Sequence, residues 1–175
     1  MSQREDTLLR RMETGDEGAL AELVDRWYPR IYAYALRTTG REQDAQDVTQ
    51  ETFLAVLRHR KTFFRCNFQS WLFTIAHHKC IDLFRLQGRL TALPEELNRL
   101  SDPDPSGQVL DRAALEQALD RLPPLQREAA VLHYFHGFTP KEIAAMTDHP
   151  LSTVRWRLAA ARRAMAETLK EDGYG

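Results

Sequence analysis

The chain has little of what defines several large protein classes. It has two cysteines among 175 residues, Cys66 and Cys80, too few for the disulfide framework of a small secreted domain. No apolar run approaches the roughly 20 residues that a membrane-spanning helix needs, and the first residues are charged rather than signal-like. The formal net charge is only −1, so any nucleic-acid surface must come from clustered charge. We therefore expect a cytoplasmic protein without membrane insertion.

Basic residues are clustered in one part of the chain. Seven lysines and arginines lie between residues 58 and 89, against the single acid Asp82: Arg58, Arg60, Lys61, Arg65, Lys79, Arg85 and Arg89. Aromatic residues are interspersed with them over residues 63–85. Separated nucleic-acid strands offer base faces that aromatic rings can cover while basic side chains follow the phosphates. The segment predicts either capture of single strands or a helix whose aromatic residues form the core.

Helical periodicity and the positions of glycine and proline predict an all-α fold. We expect two small helical domains, residues 1–90 and 112–175, joined by a flexible linker at 91–111 that contains Pro94, Pro103 and Pro105. The expected helices span about 5–14, 16–40, 41–60, 68–87, 112–121, 125–135, 139–146 and 152–169. A fully stretched linker would reach about 70 Å, at about 3.3 Å per residue. The two domains could therefore lie far apart on a large partner.

Residues 138–165 are typical of a helix-turn-helix that docks on DNA. Thr139 and Glu142 have the spacing of a capping box around Pro140, and Ser152 is expected to cap the second helix. One stripe of that helix is apolar: Val154, Leu158, Ala161, Met165 and Leu169. The other side carries small residues, a tryptophan and arginines: Ser152, Arg155, Trp156, Arg157, Ala159, Ala160, Arg162 and Arg163. Such a face can meet phosphates and guanine edges, although it is also typical of a solvated basic helix.

One apolar residue interrupts the polar face of the helix expected at 41–60. Leu54 lies among Asp47, Gln50 and Glu51, on the side opposite the apolar stripe. An apolar side chain with charged neighbours often marks a protein contact. Single exposed leucines are also normal, so both interpretations stay open on this pattern alone.

Four stretches resemble the extracytoplasmic-function (ECF) sigma factors, group IV of the sigma-70 family. They are residues 44–58 (DAQDVTQETFLAVLR), 68–85, 115–139 and 141–162, in the order and spacing of that family. The resemblance implies an alternative sigma factor that directs promoter-specific transcription initiation by binding core RNA polymerase and promoter DNA. The first domain would be sigma region 2, which docks on the polymerase clamp and recognises and melts the minus-ten element. The second would be region 4, which touches the polymerase flap and reads the minus-thirty-five element as duplex.

The resemblance also implies site residues, position by position. The polymerase-binding set is Asp44, Asp47, Gln50, Glu51 and Leu54. The minus-ten set is Arg65, Asn67, Phe68, Trp71, His78, Lys79 and Arg85. The minus-thirty-five set is Lys141, Ser152, Thr153, Arg155, Trp156, Arg157 and Arg163. An anti-sigma factor is an implied partner, whereas no catalytic residue, metal or cofactor is implied because the polymerase performs the chemistry.

The chain departs from the family pattern at a few of these positions. Ser152 stands where a glycine is usual before Thr-Val, Trp156 replaces a small residue, and Ala159 and Ala160 replace larger or basic ones. His78 replaces a common asparagine. The first four departures fall on the helix implied to read the minus-thirty-five element, and His78 falls in the minus-ten set.

Two other functions fit parts of the pattern. A ligand-sensing repressor would also join a helical domain to a helix-turn-helix, but it would bind duplex DNA unaided, usually as a symmetric dimer on a palindrome. A metalloenzyme or metal sensor could use Cys66, His77, His78 and Cys80. Adjacent histidines point about 100° apart on a helix, however, and the set lacks a compact zinc spacing.

Overall fold

The computed structural model describes residues 3–60, 67–90, 112–171 and 173. Its elements in order are α1 (Gln3–Glu13), α2 (Glu17–Thr39), α3 (Glu42–His59), α4 (Phe68–Leu86), α5 (Arg112–Leu119), α6 (Pro124–Ala130), a π-helical turn (Val131–Phe135), α7 (Pro140–Thr147) and α8 (Leu151–Glu171). The all-α prediction is confirmed. The expected linker at 91–111 and the basic loop at 61–66 lie outside the described residues.

The helix ends follow the predicted punctuation. Asp16 caps α2 by accepting a hydrogen bond from the Ala19 backbone N–H at 3.1 Å, which satisfies a donor that the first turn leaves unpaired. Gly40 ends the same helix in the left-handed conformation, with φ of 77°, where a side chain would be strained. Local chemistry thus sets both ends of α2, the long helix against which α1, α3 and α4 pack.

The helix-turn-helix has one predicted cap and lacks the other. Thr139 Oγ1 accepts from the Glu142 backbone N–H at 3.2 Å, and the Thr139 N–H donates to Glu142 Oε2 at 2.7 Å, a complete capping box. The cap predicted at Ser152 is wrong, because α8 begins at Leu151. The Pro150 carbonyl accepts the first bond, from the Val154 N–H at 3.2 Å, so Ser152 lies inside the first turn.

The helices pack in two blocks whose buried apolar residues form one continuous core. In the first block, α2 packs against α1, α3 and α4, and Trp27, Phe68 and Phe84 are buried among them. In the second block, α8 packs against α5, α6 and α7. The apolar stripe predicted for this helix is confirmed as buried, at Val154, Leu158, Ala161, Met165 and Leu169.

The two blocks lie against each other. Helix α4 packs on α7, and α2 packs on α6 and on the π-helical turn. Phe73 and Phe138 meet across this boundary with ring centroids 5.1 Å apart, and Arg37 pairs with Glu116 at 2.8 Å. The widely separated arrangement considered from the sequence is therefore not the one in this structure.

Replacing Thr139 with alanine removes the side-chain half of the capping box, because the Glu142 N–H loses its acceptor while the backbone N–H of residue 139 can still donate to Glu142 Oε2. We expect Thr139→Ala to lower the free energy of unfolding by about 1 kcal/mol, measured by urea denaturation. Ser152→Ala is the matched control, with an expected change within about 0.5 kcal/mol because its hydroxyl caps nothing. Equal losses from the two substitutions would contradict the start of α8 at Leu151.

Candidate polymerase and nucleic-acid interfaces

The polar face of α3 is presented to solvent. Asp47, Gln50 and Glu51 are exposed, and Leu54 is 42% exposed although its chemistry favours burial. Leu57, one helical turn further on, is also 42% exposed, and residues three apart are neighbours on a helix surface. The sequence prediction missed Leu57. Its spacing from Leu54 was the available signal, and together they form a two-leucine patch beside acidic residues.

Asp44 differs from the other residues predicted to bind polymerase. It is only 8% exposed, and its Oδ2 accepts from Gln87 Nε2 at 3.1 Å. Asp44 therefore lies off the exposed face of α3, and its carboxylate ties the start of α3 to the end of α4; its contact with polymerase stays a prediction. It positions the helix that carries Leu54.

The residues predicted to read the minus-ten element divide between core and surface. Asn67 caps α4 by accepting from the Ser70 N–H at 3.4 Å. Phe68 is 1% exposed and contacts Trp27 at 5.8 Å between ring centroids, so in this arrangement its ring belongs to the core, and its contact with DNA stays a prediction. Trp71 is half-buried against it. The hydrophobic cost of exposing Phe68 explains its position.

The basic residues of α4 lie toward solvent rather than in the core with Phe68. His78 and Arg85 are exposed, and Arg85 lies 3.9 Å from Asp82. Lys79 Nζ lies 3.8 Å from Glu51 Oε2 on α3, so the two predicted sites share a charged border. Arg65, predicted for the same site, lies outside the described residues.

Helix α8 presents part of its predicted face. Ser152, Arg155 and Arg163 are exposed, as is Lys141 on α7, while Thr153 and Trp156 are half-buried. These residues leave a polar surface with basic side chains on the second helix of the motif. This is the geometry by which such a helix can approach a DNA groove.

Arg157 and Ala159 do not lie on that exposed surface. Arg157 is 3% exposed, and Ala159 is also buried. Within the part of the chain that the structure describes, Arg157 Nε and Nη2 have no hydrogen-bond partner. Burial lowers the pKa of Arg157, and the Glu128 carboxylate raises it in part. Arg157 cannot reach DNA from this buried position, and its DNA contact stays a prediction; a helical wheel does not show which neighbours cover a face.

A buried polar cluster joins the two blocks. Glu128 Oε1 on α6 accepts from the Tyr34 hydroxyl at 2.5 Å and lies 2.6 Å from His77 Nδ1. Burial alone would raise the pKa of Glu128, but His77 and the hydrogen bonds outweigh it, and the pKa is lowered. Burial likewise opposes protonation of His77, but Glu128 raises its pKa overall. Both shifts favour the charged forms, a buried carboxylate beside an imidazolium, and no local pattern in the sequence indicates this pairing.

The described residues of the alternative metal site are not brought together as ligands. His77 is engaged by Glu128, Cys66 lies outside the described residues, and burial, followed by the charge of Glu128, raises the pKa of the Cys80 thiol well above its usual value. No group of three or more potential ligands occurs within residues 3–60, 67–90 and 112–171. In the same ranges no helix is long and apolar enough to cross a bilayer.

Comparison with known proteins identifies both blocks. The family model described as Sigma-70 region 2 matches residues 23–90, and the one described as Sigma-70, region 4 matches residues 112–165. The ECF RNA polymerase sigma factor SigE of Mycolicibacterium smegmatis is 36% identical over 166 residues. The chain belongs to the ECF branch of the sigma-70 family. Sigma factors are regulatory DNA-binding proteins rather than enzymes.

Relatives of this ECF sigma factor also share its architecture. The alignment with SigE covers 89% of the chain but only 65% of SigE, so the chain spans about two thirds of that relative. CnrH, solved with the cytosolic domain of CnrY, superposes with a TM-score of 0.68 at 29% identity, over 95% of this chain and 97% of CnrH. RpoE from Bartonella quintana, solved with the anti-sigma factor NepR, has a TM-score of 0.66 at 24% identity, over 86% of this chain and 96% of RpoE. The last likeness concerns the fold alone.

The raised pKa of His77 predicts how stability depends on pH. The pKa of His77 is raised above the ordinary value of 6.5. Its interaction with Glu128 therefore adds fully to the free energy of unfolding below pH 6.5, and this addition is lost as the pH rises through the folded-state pKa. The difference in unfolding free energy between the natural protein and His77→Gln should therefore shrink as the pH rises from about 6 to 9.

Chemical denaturation across this pH range measures the difference. The pKa values of His78 and His149 are lowered by burial, and both residues are present in the two proteins, so their contributions largely cancel. A difference that stays constant or grows with pH would contradict the buried ion pair.

Proposed function

We propose that this protein is an alternative sigma factor that directs promoter-specific transcription initiation by binding core RNA polymerase and promoter DNA. The observation that carries the proposal is the presence, in one chain and in order, of the region 2 match at 23–90 and the region 4 match at 112–165. Residues 1–90 would form the first functional domain and 112–175 the second, with 91–111 as the linker.

The α3 face is the proposed contact with the polymerase clamp. Leu54 and Leu57 supply exposed apolar area, and Asp47, Gln50 and Glu51 surround it with polar groups. An apolar anchor inside a polar rim is the usual anatomy of a protein interface. Asp44 supports this face through Gln87. Helix α6 and its surroundings would contact the flap.

The start and outer side of α4 form the proposed minus-ten site. Arg65 and Asn67 would lie near the extruded base, Trp71 would offer an aromatic face, and His78, Lys79 and Arg85 would follow the strand. Extruding a base costs a few kcal/mol, least at steps that unstack easily. Binding energy alone could therefore nucleate melting, and the polymerase would perform all the chemistry, without a cofactor or metal in this protein.

Helix α8 is the proposed reader of the minus-thirty-five duplex. Ser152, Thr153, Arg155 and Arg163, with Lys141 on α7, offer hydroxyl and basic groups to phosphates and base edges. The half-buried Trp156 borders this set, and its Nε1 has no hydrogen-bond partner among the described residues. Arg157 joins the set only if it leaves its buried position.

The partners follow from the same proposal. A protein that works with core polymerase and promoter DNA acts in their compartment, the cytoplasm. An anti-sigma factor is a proposed third partner, since CnrH and RpoE were solved with CnrY and NepR. Region 2 and region 4 surfaces that must meet polymerase are the surfaces that such a partner would compete for.

Reconstitution tests the function directly. The purified chain is mixed with core RNA polymerase and a promoter template, and we expect specific run-off transcripts that neither component gives alone. A chain that gives no transcript but tightly binds palindromic duplex DNA by itself would be a repressor, and the proposal would be rejected.

Leu54→Asp tests the clamp contact. A charge placed in the apolar centre of an interface should weaken binding to core polymerase at least about 30-fold, measured by fluorescence anisotropy, with helicity unchanged. Leu86→Asp is the matched control, because Leu86 is 86% exposed on α4 and outside the proposed contact. If both variants bind as the natural protein does, the clamp face lies elsewhere.

Arg155→Ala tests the reading of the minus-thirty-five element. If Arg155 contacts a base, initiation should weaken by about 1 to 3 kcal/mol on promoters that contain the element. The same variant is assayed on promoters that lack it, where little change is expected. An equal loss on both templates would make Arg155 a nonspecific phosphate anchor.

A further inference from the structure

The carboxylate of Glu128 is satisfied from across the domain boundary. Glu128 lies on α6 and is 2% exposed. The two hydrogen bonds to its Oε1 come from Tyr34 on α2 and His77 on α4, both in the first block. Burying an unpaired carboxylate is costly enough that such groups are normally partnered. Glu128 can therefore stay buried as an anion only while the two blocks are together.

Apolar and aromatic contacts surround this polar centre. Phe73 of the first block lies 4.9 Å from the ring of His136 and 5.1 Å from that of Phe138. The guanidinium of Arg37 lies over the Phe135 ring at 4.5 Å. A water-excluded ring around a hydrogen-bonded centre is the anatomy of a specific interface. The closed arrangement is thus built from complementary side chains.

A second tie lies at the end of α2. The Arg127 side chain on α6 donates from Nε to the Arg37 carbonyl and pairs through Nη2 with Asp120 at 2.9 Å. A Cβ on Gly40 would come within 3.2 Å of this guanidinium. The absence of a side chain at Gly40 lets Arg127 approach the carbonyl end of α2.

One arginine of α8 is buried near the boundary between the blocks. Arg157 is near enough to His77 and Glu128 to influence the pKa values of both, and its Nε and Nη2 find no partner in the described part of the chain. In the closed arrangement Arg157 is thus buried beside His77 and Glu128 with two nitrogens that have no partner among the described residues.

Closure also conflicts with the spacing of a promoter. Minus-ten and minus-thirty-five elements are about 25 base pairs apart, or about 85 Å at about 3.4 Å per base pair. In the structure His77 of the first block and Glu128 of the second are 2.6 Å apart. Two small domains in direct contact cannot span that distance, whereas domains separated by a stretched linker of about 70 Å can.

We propose that Tyr34, His77 and Glu128 form a clasp that holds the two domains closed in the free protein, and that the clasp opens before α8 reads duplex DNA. The consequence for the promoter rests on the proposed function. The closure itself is a property of the free chain. Opening frees Arg157 to join the exposed residues of α8, so the clasp controls a DNA-contacting arginine.

Tyr34→Phe and His77→Ala test the clasp in the full chain. Tyr34→Phe removes one hydroxyl with little change of shape, and Tyr32→Phe on the same helix is its matched control. Small-angle X-ray scattering should give the natural protein a radius of gyration near the value for one compact domain of its length, about 16 Å. The two clasp variants should increase it by at least about 20%, and the control should not.

Binding to a duplex that carries the minus-thirty-five element is the second measurement, made on the free chain without polymerase. The apparent affinity falls with the fraction of competent molecules, so the clasp variants should bind at least tenfold more tightly than the natural protein and Tyr32→Phe. Circular dichroism confirms that each variant keeps its helices.

Two results would overturn the clasp. One is a natural protein that already scatters as two separated domains, and the other is clasp variants that match Tyr32→Phe in both size and duplex affinity. Scattering needs neither polymerase nor promoter, so failure of run-off transcription leaves this result standing, and an open free chain leaves the proposed function standing.

Discussion

The buried carboxylate of Glu128 is the constraint that fixes the arrangement of this molecule. Its Oε1 takes hydrogen bonds from Tyr34 on α2 and His77 on α4, so three helices must keep one relative position. That position packs α7 against α4, and α8 follows α7 through the short turn at 148–150. The position of α7 and α8 relative to the first block therefore depends on an acid on α6.

Three consecutive side chains of α4 point in three directions, toward the second block, toward solvent and toward α3. His77 faces Glu128, His78 is exposed, and Lys79 reaches Glu51 on α3. Successive residues are about 100° apart on a helix, and this rotation separates the domain contact, the proposed minus-ten surface and the border of the polymerase face. The angle that argued against a metal site at His77 and His78 lets one helix carry these separate roles.

Local chemistry made the helices predictable, and long-range contacts made parts of the site unpredictable. Three features depend on residues only a few positions apart and can be predicted from the sequence: the Thr139 capping box, the Gly40 end of α2 and the buried stripe of α8. The Tyr34–Glu128 bond joins residues 94 positions apart. A helical wheel gives the period of a face and not what covers it, which is why Arg157 was expected on the surface.

The free energy of closing the two domains contains terms of opposite sign, so closure can be reversed by a partner that binds the open form. A buried ion pair such as that of His77 and Glu128 is close to neutral relative to apolar packing, but removing one partner leaves the other charge buried and unpaired, at a cost of about 3 to 5 kcal/mol. The two Arg157 nitrogens without partners among the described residues oppose closure. Shifting a two-state equilibrium from 1:99 to 99:1 takes about 5.5 kcal/mol of differential binding. A micromolar complex releases about 8 kcal/mol, so a polymerase that binds only the open form has enough binding energy to open it.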